Sequence, residues 1–190
     1  MKKYVARWLL GLFGWDIIGD RPDHARYVLI AAPHTSNWDF PLMLLFAAAF
    51  DIRVSWMAKH GLFRPPFGAV MRALGGISVR RHEQNNLVSQ LAEQFEQQKQ
   101  LVLVVPTEGT REWSDHWKSG FYRIALAAKV PIVPSFLDFK RRQGGFGPAL
   151  LPSGDVEADM AYFRGFYHGM QGKFPEKFGP IRLQEEDDRA

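Results

Sequence analysis

The sequence predicts an α/β fold, a single domain with a central mixed sheet flanked by helices. Three observations carry that prediction. Short apolar runs, at residues 27–32 and 101–105 above all, are continuous enough to be strands buried on both faces. Segments of helical periodicity separate the strand candidates, so the two element types alternate along the chain. A length of 190 residues with 46% hydrophobic content supplies one substantial core and calls for no second.

Taken in order, residues 1–15 place Val5, Trp8, Leu9, Leu12 and Phe13 on one helical stripe, with Lys2, Lys3 and Arg7 beside it. That pattern suits an amphipathic helix lying in a lipid headgroup layer, and equally a helix packed on its own domain. A secretory signal fits poorly. Arg7 and Gly11 interrupt the apolar core, and Asp16 stands where a small-residue cleavage site belongs. Residues 1–20 are therefore set apart as a membrane-associating segment. A strand at 27–32 leads into a helix at 40–50, for which Thr35, Ser36 and Asn37 are candidate N-caps.

Strands follow at 52–57 and 76–80, with the apolar stretch 61–74 between them. Residues 85–98 read as a surface helix, with Leu87 or Val88, Leu91 and Phe95 inward and Gln and Glu outward. After the strand at 101–105, a helix at 117–129 is ended by Pro131, and a further strand occupies 132–137. Residues 141–148 form a hairpin or loop, and Asp155 opens a helix at 155–170. The domain proper spans 21–180, and 181–190 is a polar tail.

Composition excludes several chemistries. The chain has no cysteine, so disulfides, thiolate metal sites and a cysteine acyl-enzyme are ruled out. His24, His60, His82, His116 and His168 are scattered without ligand-like spacing, so no metal is expected. No apolar run reaches the roughly 18 residues of a spanning helix, which argues against an integral membrane protein. The net charge of +4 raises nucleic acid as a partner. The basic residues are instead dispersed in groups such as Arg80-Arg81 and Lys140-Arg141-Arg142, without a base-stacking stripe, so no nucleic-acid partner is expected.

Two short segments carry the chemistry. In Pro33-His34-Thr35-Ser36-Asn37-Trp38-Asp39, four residues separate an imidazole from a carboxylate at a strand-to-helix junction. Asp39, in the first helical turn, would reach back to one nitrogen of His34, fixing its tautomer while the other nitrogen removes a proton. Ser36 is the one rival nucleophile nearby, and its alternative role is a helix cap. The second segment delivers Glu108, Gly109, Thr110 and Arg111 to the end of the strand at 101–105. Arginine suits bidentate phosphate recognition, and glycine permits close backbone approach.

Together these blocks resemble the glycerolipid acyltransferases, the PlsC-like lysophospholipid acyltransferase family. Its signature is His-x4-Asp followed some seventy residues later by Glu-Gly-Thr-Arg. Residues 74–81, Leu-Gly-Gly-Ile-Ser-Val-Arg-Arg, and 130–134, Val-Pro-Ile-Val-Pro, match two further family blocks, and Lys118-Ser119-Gly120 also looks like the family. The resemblance covers roughly residues 26–140.

It implies a glycerolipid acyltransferase-like fold and transfer of an acyl group from acyl-CoA or acyl carrier protein to a hydroxyl of a lysophospholipid or glycerol-phosphate acceptor. No cofactor is needed beyond that acyl donor. His34 takes the role of general base and Asp39 orients it. Glu108, Gly109, Thr110 and Arg111 contact the acceptor. Arg81 is the second phosphate ligand, although strand alternation leaves Arg80 as its competitor. Lys118 adds charge near the acceptor or simply faces solvent. Phe63, Phe67, Val70 and Leu74 line a lipid entrance or plain core.

Two residues depart from the family pattern. Pro33 stands where Asn is usual, and Thr107 where Pro precedes the Glu-Gly-Thr-Arg block, which opens the acceptor to alternatives such as an amino-acid lyso-lipid. The expected location is cytoplasmic, peripheral on the inner face of a membrane. The competing expectation is a noncatalytic lipid-binding protein on the same fold.

Overall fold

In the computed structural model, which describes residues 1–79 and 84–187, a seven-stranded sheet divides the molecule into two layers. The strands are β1 (Asp16–Ile18), β2 (Arg26–Ala31), β3 (Ser55–Lys59), β4 (Gly76–Val79), β5 (Leu101–Pro106), β6 (Ile132–Asp138) and β7 (Gln143–Phe146). The helices are α1 (Lys2–Leu12), α2 (Asp39–Ala49), α3 (Gly68–Ala73), α4 (Gln84–Gln97), α5 (Gly120–Ala128), α6 (Val156–Tyr167) and the short α7 (Gln184–Asp187). The spatial order is β1-β7-β6-β2-β5-β3-β4. The β6–β7 hairpin is antiparallel and every other pairing is parallel, which makes the sheet mixed.

Alternation along the central strands sorts the core into two halves. Val28 and Ile30 of β2 stand beside Leu103 and Val105 of β5 on one face, packed by Leu91, Phe95, Phe121, Ile124, Met160 and Phe163 of α4, α5 and α6. Tyr27, Leu29, Val102 and Val104 point the other way, toward Ala6 and Leu10 of α1 and Phe46, Ala47, Ala49 and Phe50 of α2. Because both faces are covered, β2 and β5 carry unbroken apolar runs. Within α4, Leu91 and Phe95 are buried while Leu87 and Val88 are both half-buried. α6 begins one residue after Asp155, whose carboxylate accepts the Ala158 N–H at 3.2 Å.

The structure refines the sequence reading from α1 to the tail, where Leu183 of the expected polar stretch is buried and Gln184–Asp187 forms α7. α1 packs on the domain through Ala6 and Leu10, and turns Val5, Trp8, Leu12 and Phe13 outward. β1, only three residues long, joins the sheet edge beside β7, where sequence analysis foresaw no strand. β3 begins at Ser55 rather than at 52 because Asp51, at φ 57°, turns the chain while Ile52 and Val54 fill the core beneath α2. Residues 60–74 fold into a 3-10 turn (His60–Phe63) and α3. α5 begins at Gly120, and Trp117 before it is a core side chain bridged to Leu183. Among the described residues, no helix is long and apolar enough to cross a membrane.

Candidate active site

The parallel strands β2 and β5 lie side by side with Ala31 opposite Pro106. The loops leaving their carboxyl ends therefore meet, at the place where open α/β sheets form crevices. His34 lies three residues past β2, and Glu108 two past β5. The His34 N–H donates to Glu108 Oε1 at 3.0 Å, tying the loops together across 74 positions of sequence.

The His34 loop is braced on every side. Asp39 opens α2, where the helix N-terminus favours a carboxylate. Its Oδ2 lies 3.1 Å from His34 Nδ1 and accepts the Ser36 N–H at 2.9 Å, and His34 Nε2 has no hydrogen-bond partner among the described residues. Asp39 Oδ1 is buried without a partner among the described residues. The carboxylate charge is thus balanced by the imidazole, one amide and the helix end. Ser36 Oγ accepts the Trp38 N–H at 3.1 Å, a local turn that gives this hydroxyl a structural role.

Glu108 is buried, and both its oxygens are engaged within the protein. Oε1 takes the His34 amide, and Oε2 takes the Thr107 hydroxyl at 3.2 Å. Burial pushes its carboxyl above the usual range, and those hydrogen bonds oppose the shift. Thr107 therefore contributes a hydroxyl to the clamp.

Gly109 has φ +67°, and a Cβ there would lie 3.0 Å from Lys118 Cγ, so the turn requires glycine on two counts. Thr110 is exposed and accepts the Glu112 N–H at 3.2 Å. Arg111 is exposed at the rim, and Lys118 faces solvent just before α5. Arg81 and its competitor Arg80 lie outside the described residues.

His34, Asp39 and Arg111 stand at the wall of a cavity of about 330 Å³ that runs between α2 and the sheet. Its deeper lining is apolar: Leu29, Met43, Phe46, Val104, Leu137 and Phe146 among others. The tip of the Phe46 ring rests on Gly144, where a Cβ would come within 2.5 Å of Cζ. Trp56 and Leu62 close another side.

Sequence analysis missed a further brace, the segment that follows α6. Thr35 is buried, and its Oγ1 accepts the Phe174 N–H at 3.2 Å. Gly172 comes so close that a Cβ would sit 2.5 Å from that oxygen. The same segment reaches the other loop, where Lys177 pairs with Glu112 at 2.8 Å and Arg182 Nε donates to the Asp115 carbonyl. A partner 139 positions away leaves no local signal. The glycine itself was the one available hint.

Comparison with known proteins fits this geometry. Residues 18–138 match the family model described as Acyltransferase. No curated protein sequence matches. Among solved structures, the fold is similar to the crystal structure of the 1-acyl-sn-glycerophosphate (LPA) acyltransferase PlsC from Thermotoga maritima. That match has a TM-score of 0.57 and 18% identity, and covers 86% of this chain and 73% of that one. At that identity the likeness is one of fold.

Proposed function

The chain belongs to the acyltransferase family, and from that premise we propose that it moves a fatty acyl group from an acyl thioester to a hydroxyl of a lysophospholipid or glycerol-phosphate acceptor, with His34 as general base. The observation that carries this reading is the pairing of His34 Nδ1 with Asp39 Oδ2 at 3.1 Å, at the wall of an apolar cavity that also has a guanidinium at its rim.

In this mechanism the acceptor's phosphate lies against Arg111, and its hydroxyl approaches Nε2 of His34. Nε2 takes the hydroxyl proton as the oxygen attacks the thioester carbonyl carbon. The tetrahedral intermediate collapses, the C–S bond breaks, and the departing sulfur takes the proton back from the imidazolium. Asp39 stabilises that imidazolium and fixes the ring. Glu108 positions the base through its backbone rather than meeting the acceptor. The fatty chain of the donor, acyl-CoA or acyl carrier protein, occupies the cavity beneath α2.

The reaction takes place on the inner surface of a membrane. Lys2, Lys3 and Arg7 flank the outward side chains of α1, and about 1 kcal/mol per basic residue near an anionic leaflet adds to the burial of Trp8, Leu12 and Phe13.

The test is a mass-spectrometric screen of lyso-lipid acceptors with acyl-CoA and acyl carrier protein donors, run on the wild type and on His34→Ala. Loss of the base should lower turnover by about 10² to 10⁴ while circular dichroism stays unchanged. Near-normal turnover by the variant would refute the assignment of His34. Binding of lipid without transfer from any donor would leave a noncatalytic lipid binder.

A further inference from the structure

α1 does not carry all of the uncovered apolar surface. Residues 60–74 enter the fold through Phe63, which is buried against Gly76 and stacks on Trp56 with ring centroids 6.5 Å apart. Trp56 packs in the α1–α2 half of the core, so this segment sits on the same face of the sheet as α1. Four of its other apolar side chains stay outside. Leu62 is 52% exposed, Phe67 65%, Val70 52% and Leu74 37%. Phe67, Val70 and Leu74 recur at the spacing of a single helical side.

Two facts connect this patch with the site. Leu62 is exposed and also lines the cavity, so apolar surface continues from the outside of the segment into the space beneath α2. Trp56, another cavity residue, donates its indole N–H to the Leu74 carbonyl at 2.8 Å, which pins the end of α3 to the cavity wall.

Charge indicates what covers the patch. From residue 52 to 82 the sequence holds Arg53, Lys59, Arg64, Arg72, Arg80 and Arg81, and no Asp or Glu at all. The only other exposed apolar helix stripe described above, that of α1, lies in residues 1–15, which hold Lys2, Lys3 and Arg7 and again no acid. Exposed apolar side chains on a segment that also exposes Arg53, Arg64 and Arg72 and carries no acid of its own match an anionic leaflet, whose headgroups meet the cations while the acyl region takes the side chains.

We propose that residues 62–74 are a second bilayer contact and the port through which a lipid acceptor and its hydrocarbon pass from an anionic leaflet into the cavity at His34. The port rests on the acyl-transfer reading, whereas the contact does not. The two stripes divide the work: α1 holds the protein on the membrane, and the α3 segment sets the cavity mouth at the lipid surface.

The experiment compares the wild type, Phe67→Ser with Val70→Ser, and Trp8→Ser with Leu12→Ser. Vesicle sedimentation uses phosphatidylcholine with and without phosphatidylglycerol. Turnover uses long-chain lysophosphatidate embedded in those vesicles, and short-chain lysophosphatidate dissolved in monomeric form. The Phe67/Val70 pair should weaken binding to anionic vesicles by about tenfold. It should lower turnover of the embedded acceptor by about the same factor and leave turnover of the dissolved acceptor within about twofold. The Trp8/Leu12 pair should lower binding at least as much.

Unchanged vesicle binding by the Phe67/Val70 pair would overturn the contact. Equal loss on both acceptors would overturn the port, because the patch would then serve the fold or the chemistry. A self-association lost in this variant, without any change in vesicle binding, would assign the surface to a second copy of the chain and overturn the proposal. If the wild type turned over neither acceptor, the reaction assignment would fall, and the sedimentation arm would still decide the contact.

Discussion

The two helical layers are built on the same strands by opposite rules. On one side, α4, α5 and α6 bury Phe95, Phe121 and Phe163 and turn Gln90, Glu93, Glu96, Arg123 and Glu157 to water. On the other, α2 is apolar beyond Asp39, α1 and the α3 segment hold Trp8 and Phe67 outward, and a cavity opens between part of α2 and the sheet. A helix without a polar face is not finished by water alone. The difference teaches how one sheet serves two needs. The closed layer fixes β2 and β5 in register, so that His34 and Glu108 meet within hydrogen-bond distance, while the open layer leaves room for a ligand beside them.

Paired truncations would break or sharpen this contrast most strongly. Phe121→Ala, deep in the closed layer, should cost about 3 to 5 kcal/mol in urea denaturation. Phe46→Ala borders space that is already empty and should cost nearer 2 kcal/mol, the transfer component with little new cavity. Equal costs would erase the distinction. Phe46→Ala should also shift turnover toward longer acyl donors by opening the cavity toward Trp15, whose ring lies 5.9 Å from Phe46, whereas Phe121→Ala should leave the chain-length profile alone.

A smaller effect belongs to the helix starts. Asp155 caps α6 with its side chain, so Asp155→Ala should cost about 1 kcal/mol by the same denaturation assay. The corresponding residue of α2, Trp38, makes no such bond, and the carboxylate that follows it is committed to His34.

The smallest effect is a matter of pH. His116 lies 2.7 Å from Asp187 of α7 and 3.2 Å from Asp115, and the Asp187 hydrogen bond holds its imidazole above the usual range. Because the folded value is raised, the tie is fully present below about pH 6.5, the ordinary imidazole value, and fades only as pH climbs through the higher folded one. Protection of the α7 amides, the intrinsic exchange rate divided by the observed rate at the same pH, should therefore fall on the alkaline side, and His116→Gln should show the lower protection throughout. Protection that does not change with pH in the wild type would discount the tie.

Legibility in the sequence followed the range of the interactions. β2 and β5 were plain because burial on both faces forces continuous apolar runs. The α4 stripe and the Asp155 cap are encoded within a turn or two, and so is the His34–Asp39 pair. β1 was invisible because three residues carry no period, and its place depends on pairing with β7 far along the chain. Sequence reading took Glu108 for an acceptor contact. Its two partners, the Thr107 hydroxyl and the amide of His34, show a carboxylate turned inward, and only folding could reveal the second. The cavity was equally hidden, because Phe46, Val104 and Leu137 look like ordinary core until the gap between α2 and the sheet is seen.

The brace from Gly172 to Arg182 bears on where this polypeptide can be cut. Residues 139–187 lie past the stretch matched by the family model, yet Met160, Phe163 and Tyr167 roof the strands and Phe174 steadies the His34 loop. A chain severed at 138 would bare that roofed surface to solvent and release Thr35 from its anchor. The smallest piece able to stand alone as a catalyst must therefore extend at least to Leu183, whose backbone bridges Trp117 and whose side chain is wholly enclosed.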